Sequence, residues 1–264
     1  MVEKSGIEEL RYLIAEHREA NNVPQNHLNL QFTGTRQRVA SWLATPAPIG
    51  SLDFVTPNAA VAVAVLSKDP KAIADDIIAM TAKGAGNSGF DEADAKLNIS
   101  VRDDLMANLG GDFLLSLDGP VLPTPSWKAV IEVNNSNQLE NTLERLVQAI
   151  DGQAQGKDSH QVAIDPSDVN GQRFYAIREV ASGTVVANYT FSDGFMIIAP
   201  TRALLIDAIK THASGNSLGR SAAFRALLPK DENENYSAVA YQILSPVLTP
   251  LLSLFSGESA DAIR

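Results

Sequence analysis

The chain has 264 residues, 45% of them hydrophobic, with 31 acidic against 21 basic side chains and a net charge of −10. That composition supplies a sizeable core and excludes intrinsic disorder, and a negative surface repels nucleic acid and anionic membranes. There is no cysteine, so disulfides, thiolate metal sites and cysteine nucleophiles are excluded, and no apolar run approaches the length of a transmembrane segment.

Residues 1–10 lack the apolar core of a signal peptide, which fits a cytoplasmic chain or one whose signal peptide has been removed. Residues 3–21 place Ile7, Leu10, Leu13, Ile14 and His17 on one stripe at 3.6-residue spacing, which predicts an amphipathic helix. A short strand is predicted over 28–32 and a short helix over 36–43, with Pro46 and Pro48 marking a boundary. The Val-rich run 61–66 reads as a strand, and Asp69 caps a helix that opens on Pro70. Residues 102–109 read as a short helix closed by Gly110, and 113–117 and 127–133 as strands. A helix over 136–150 has Leu139, Leu143, Leu146, Val147 and Ile150 on one face. The polar, Gly-bearing stretch 151–159 is the best candidate for a linker.

Four strands are predicted next, near 160–164, 172–179, 184–191 and 195–199, with tight turns at Asn170-Gly171 and Asp193-Gly194. Helices at 201–213 and 220–226 and a strand at 236–243 follow, and Ser245-Pro246 opens a last helix with Val247, Leu248, Leu251, Leu252 and Phe255 on its apolar face. Short hairpins dominate, and helices follow paired strands. That pattern predicts an α+β class: antiparallel sheets with helices packed on one face. Strand–strand–helix units at 113–150 and 187–213 suggest an internal duplication. The organisation read from this is an N-terminal helical segment over 1–50, the remainder of an upstream region, a first α+β half over 51–150 and a second over 151–264.

The segments that look like chemistry have simpler explanations. Gly215-Asn216-Ser217-Leu218-Gly219 matches the G-x-S-x-G nucleophile elbow, but a helix precedes it where the elbow needs a strand, and no histidine follows His212. It reads as a Gly-rich turn between helices. Gly110-Gly111-Asp112-Phe113 is similar to the loop of nucleotide cyclases but lacks the second acidic residue, and a helix end turning into a strand accounts for its glycines. The segment 165–171 resembles half a calcium loop, yet the register puts Pro166 and Ile177 where carboxylates are needed, so it reads as a hairpin turn. None of His17, His27, His160 and His212 is paired at the spacing of a helical zinc site, and no metal or cofactor site is predicted. The carboxylates Asp75-Asp76, Asp91-Glu92-Asp94 and Asp103-Asp104 read as helix-terminal charge. One surface element stands out. The rigid loop of Leu122, Pro123 and Pro125, ending in Trp127, is a candidate contact site for a partner, against the plainer reading that Trp127 packs inward.

The segments 46–57 (PAPIGSLDFVTP), 109–127 (LGGDFLLSLDGPVLPTPSW) and 214–229 (SGNSLGRSAAFRALLP) resemble an uncharacterised bacterial family of large exported proteins, a domain of unknown function. The resemblance covers most of 46–245 and carries no assigned chemistry. It implies a periplasmic or extracellular location. The composite expectation is a non-enzymatic extracytoplasmic binding or structural module with no catalytic residues, whose partner is an unknown protein or an apolar ligand. A hydrolase using an atypical Ser217/His212 pair and a carrier of a lipid-like ligand are the alternatives.

Overall fold

The computed structural model describes residues 9–20, 23–81, 89–122, 124–153, 161–228 and 235–243. The last predicted helix, Pro123, His160 and most of the 151–159 linker lie outside them.

The N-terminal helix predicted over 3–21 is replaced by a strand, β1 (Leu10–Ala20), which pairs antiparallel with β2 (Val23–Phe32). The register sets Leu13 opposite Leu30 and Ala15 opposite Leu28. The apolar cluster at 10–15 satisfies a period of two as readily as 3.6, and the cross-strand partner decides between them. The predicted 36–43 helix shortens to a 3-10 turn, Arg38–Ser41.

The other strands are β3 (Val61–Leu66), β4 (Leu109–Leu117), β5 (Trp127–Val133), β6 (Val162–Val169), β7 (Gln172–Glu179), β8 (Val185–Ser192), β9 (Phe195–Ala199) and β10 (Ala238–Gln242). They form one eight-stranded antiparallel sheet in the order β10-β3-β4-β5-β9-β8-β7-β6. The predicted turns form as read: Asn170 and Gly171 at φ 52° and 80° link β6 to β7, and Asp193 and Gly194 at 48° and 81° link β8 to β9. The helices are α1 (Pro70–Thr81), α2 (Gly89–Leu97), α3 (Ser136–Gln153), α4 (Arg202–Ser214) and α5 (Ala222–Leu227). Their starts follow capping chemistry: Asn135 accepts from the Gln138 N–H (3.0 Å) and Ser221 from the Phe224 N–H (3.2 Å).

The residues predicted as a short helix over 102–109 form a π turn (Val101–Leu105) and a 3-10 turn (Met106–Asn108), and β4 already begins at Leu109. Gly110 and Gly111 therefore lie within a strand, at the irregularity where the β4–β5 register shifts. A Cβ on Gly110 would sit 2.4 Å from Glu132 Cγ, and one on Gly111 2.5 Å from the Ser67 carbonyl. The Glu132 carboxylate fills that space and accepts the Gly111 and Asp112 N–H groups (2.9 and 3.1 Å) that the bulge leaves without a ladder partner.

The class is α+β, as the sequence predicts, but helices cover both sides of the sheet. Successive residues of the central strands divide between two cores. Leu114, Val130, Ile197 and Phe174 pack with Leu205 and Ala208 of α4 and Phe224 of α5. Phe113, Ile131, Ile198 and Tyr175 pack on the other side with Leu139 and Leu143 of α3. The strand–strand–helix order repeats across the central β5–β9 seam. A rotation laying β4–β5 on β8–β9 preserves faces, however, so it cannot lay α3 on α4.

Candidate functional site

Residues 46–57 cross the α4 face of the sheet as a strap, with a 3-10 turn over Gly50–Phe54. Apart from an isolated bridge between Ala47 and Tyr236, the strap joins no strand ladder among the described residues, so side chains satisfy much of its buried backbone. Asp112, on β4, accepts from the Ser51 N–H (2.9 Å) and the Ser51 hydroxyl. Asp118, just past β4, accepts from the Thr56 N–H (2.8 Å) and hydroxyl (2.5 Å). Lys128, on β5, donates to the Phe54 carbonyl (3.2 Å) and pairs with Asp118. That ion pair is shut off from water, with side-chain exposures of 1% and 3%. The Val55 carbonyl accepts from the Leu218 N–H (2.7 Å).

Asp53 leaves the strap toward the turn between α4 and α5. It accepts from the Ser217 hydroxyl (2.7 Å) and from Arg220 (2.7 Å). Gly219 lets that turn close on the strap: a Cβ there would lie 3.1 Å from Leu52 Cβ. Phe54 is fully buried, stacked on His212 with ring centroids 4.4 Å apart and tilted against Phe195 at 5.2 Å. Parts of the segments 46–57, 109–127 and 214–229 thus converge here, the strap held between the carboxylates of Asp112 and Asp118 and the 215–220 turn.

The two carboxylates at the start of the strap titrate in opposite directions. Burial pushes Asp112 above the usual carboxylate range, against the hydrogen bonds from Ser51, and the charge of Glu132 adds to the rise. Burial also opposes the charge of Asp53, but hydrogen bonds from Arg220 and Ser217 and the Arg220 charge outweigh it and hold the carboxyl low.

The Ser217/His212 pair has no catalytic geometry. The Ser217 hydroxyl donates to Asp53, while the Nε2 of His212 lies 3.5 Å from Asp193 and its buried Nδ1 meets no partner among the described residues. A nucleophile needs its base within hydrogen-bond reach, and the Ser217/His212 pair is not joined in that way. Among the described residues, no group of three His, Cys, Asp or Glu side chains is placed to hold a metal ion.

Beside the strap, between it, α5 and β10, lies an open cavity of about 540 Å³. Pro48, Ile49, Leu52, Phe224, Leu228 and Val239 give it apolar walls, and Arg220, Arg225, Asn235 and Tyr236 a polar rim. Arg220 is tied to Asp53; Arg225 donates its Nε to the Gly219 carbonyl (3.2 Å) and forms no ion pair among the described residues. The contact loop singled out in the sequence is elsewhere. Leu122 and Pro125 are exposed, and Trp127, half-buried, pairs with Leu117 at the far end of the β4–β5 ladder. None of the three lines the cavity.

Sequence reasoning missed Asp53, Asp112, Asp118 and Lys128. The one local signal was Lys128, whose alternation with Val130 in a strand points its ammonium to the buried face. No protein-family model matches the chain, no curated protein is similar to it, and no solved structure matches its fold. Among the described residues, no helix is long and apolar enough to cross a membrane.

Proposed function

We propose that the protein is a non-catalytic binding module whose ligand seats an apolar body in the cavity between the strap, α5 and β10. The cavity carries this reading. Its volume of about 540 Å³ lies within the range of small-molecule sites, which pair mostly apolar walls with a few convergent polar groups. The polar side chains beside it support binding over chemistry, because Asp53, Ser217 and Arg220 already satisfy one another. The Arg225 guanidinium favours a ligand with an acidic or hydrogen-bond-accepting end. Residence outside the cytoplasm belongs to the same proposal and rests on the family resemblance.

The test uses 8-anilinonaphthalene-1-sulfonate, an aromatic probe with one anionic group. We expect saturable fluorescence enhancement at one site per chain, abolished by Val239→Phe, which fills the cavity, at an unchanged melting temperature. An equal response from the wild type and from Val239→Phe would overturn the reading, as would no response from the wild type.

A further inference from the structure

The two edges of the eight-stranded sheet are built differently. The β6 edge carries Asp165, Pro166 and Asp168, the charges and missing N–H that deter another strand. The β10 edge reads Ala-Val-Ala-Tyr-Gln, without charge or proline. At the two ends of its ladder to β3, the Leu66 N–H bonds the Ser237 carbonyl and the Ile243 N–H bonds the Ala60 carbonyl, both at 2.7 Å. Antiparallel pairing alternates, so with the observed register Val239 and Tyr241 also bond inward. Ala238, Ala240 and Gln242 then turn their N–H and C=O groups outward, where no partner meets them among the described residues. Their side chains are exposed as well.

We propose that this edge pairs with β10 of a second copy of the chain, antiparallel about a two-fold axis at Ala240, so that two eight-stranded sheets become one. Charge selects the edge. With −10 on each chain, a seam between copies must avoid facing like charges, and β10 brings none, whereas pairing through β6 would set Asp165 and Asp168 against their copies. The occupant follows from the register, in which the same three outward residues complement their own copies. The register sets Ala238 against Gln242 of the second copy, and each outward residue donates one hydrogen bond and accepts one.

The flank of the seam is apolar. Leu227, 57% exposed on α5, lines a groove of about 250 Å³ along β10 with Phe224, Tyr236 and Tyr241. A two-fold axis normal to the sheet keeps faces together, so α5 of each copy lies on the same side and Leu227 is buried at the seam. Phe224, Leu228, Tyr236 and Val239 line both this groove and the proposed ligand cavity, so pairing narrows the mouth of that cavity. The proposal itself does not depend on a ligand.

Sedimentation equilibrium of the full chain tests it. We expect a species of twice 28.2 kDa that grows with concentration. Ala240→Pro removes one outward N–H and leaves the β3 ladder intact, a substitution edge strands accept; it should give a monomer with an unchanged melting temperature. If it also lowers the melting temperature, Leu227→Lys decides, because that exposed position tolerates the change and should raise the dimer dissociation constant about tenfold or more. A wild type that stays monomeric at millimolar concentration overturns the proposal. So does an Ala240→Pro variant that dimerises as the wild type does, or a Leu227→Lys variant with unaltered affinity.

Discussion

On the α4 side of the sheet an irregular strap is fastened by buried polar groups: Asp112 to Ser51, Asp118 to Thr56, Lys128 to Phe54. On the α3 side a regular helix seals the same strands with Leu139 and Leu143 against stacked Tyr175 and Tyr189. A helix satisfies its own backbone and needs only an apolar stripe. The strap cannot, and several of the carbonyl and N–H groups it buries call for side chains of matching chemistry. The two sides therefore respond differently to substitution. The polar side has large losses wherever one member of a charged set is removed, and the apolar side has losses that follow volume.

The largest effect falls on the buried pair. Removing one partner leaves the other charge uncompensated, so Lys128→Ala should lower stability by about 3–5 kcal/mol, read from the urea midpoint. Lys128→Met combined with Asp118→Asn should lose less than Lys128→Ala alone, since the asparagine carries no charge and still accepts the Thr56 N–H. A double variant no better than the single one would show that the pair acts through something other than its charge. On the opposite side, Leu139, fully buried, should lose about 2–5 kcal/mol on change to Ala through transfer and cavity terms. Replacing it with Met should recover most of that loss, a rescue by volume that the polar side does not offer Lys128.

The same contrast explains what could be read in the sequence. Strands 127–133, 172–179 and 195–199 were legible to the residue because periodicity and turn chemistry are local. The strap's fastenings were not. Ser51 and Asp112 are 61 residues apart and Asp53 and Ser217 are 164 apart, and nothing local marks one aspartate as a buried acceptor and another as surface charge. Asp118-Gly119-Pro120 was legible as a turn, but not as the end of a clamp. The N-terminal hairpin failed for the same reason: the run 10–15 suits either period, and only its pairing with β2 makes it a strand. Helices on two faces were hidden as well, because an apolar stripe shows that a helix packs and not which side of the sheet it takes.

A smaller effect separates the two carboxylates that hold the strap's first turn. The raised pKa of Asp112 means that the folded state binds its proton more tightly than the unfolded chain. Its contribution is therefore fully present below the ordinary value of 3.8 and is lost as pH rises through the raised value. Asp53 is held low, so its contribution is present above 3.8 and is lost as pH falls through the depressed value. Urea midpoints across the acid range should show this as curves of opposite slope. The wild-type advantage over Asp112→Asn shrinks as pH rises, and the advantage over Asp53→Asn grows. Parallel difference curves would mean that both carboxyls sense the same environment, contrary to their partners.

The smallest predicted change has the opposite sign, and it lies on the apolar side. Tyr189 and Tyr175 stack at 4.5 Å with rings 4° apart, yet their hydroxyls differ. The Tyr175 hydroxyl feels the charge of the Glu140 carboxylate, while that of Tyr189 is buried with no hydrogen-bond partner among the described residues. A hydroxyl taken from water without a replacement bond is a standing penalty, so Tyr189→Phe removes it and keeps the ring, and should stabilise by about 1 kcal/mol. Tyr175→Phe removes a hydroxyl that is not an orphan of this kind and should bring no such gain. The two changes delete the same atom from adjacent, parallel rings, so ring packing cancels between them, and the difference in melting temperature isolates the cost of the buried, unpartnered hydroxyl. A loss of stability in Tyr189→Phe would show that the Tyr189 hydroxyl has a partner after all and that this side, too, depends on buried polar pairing.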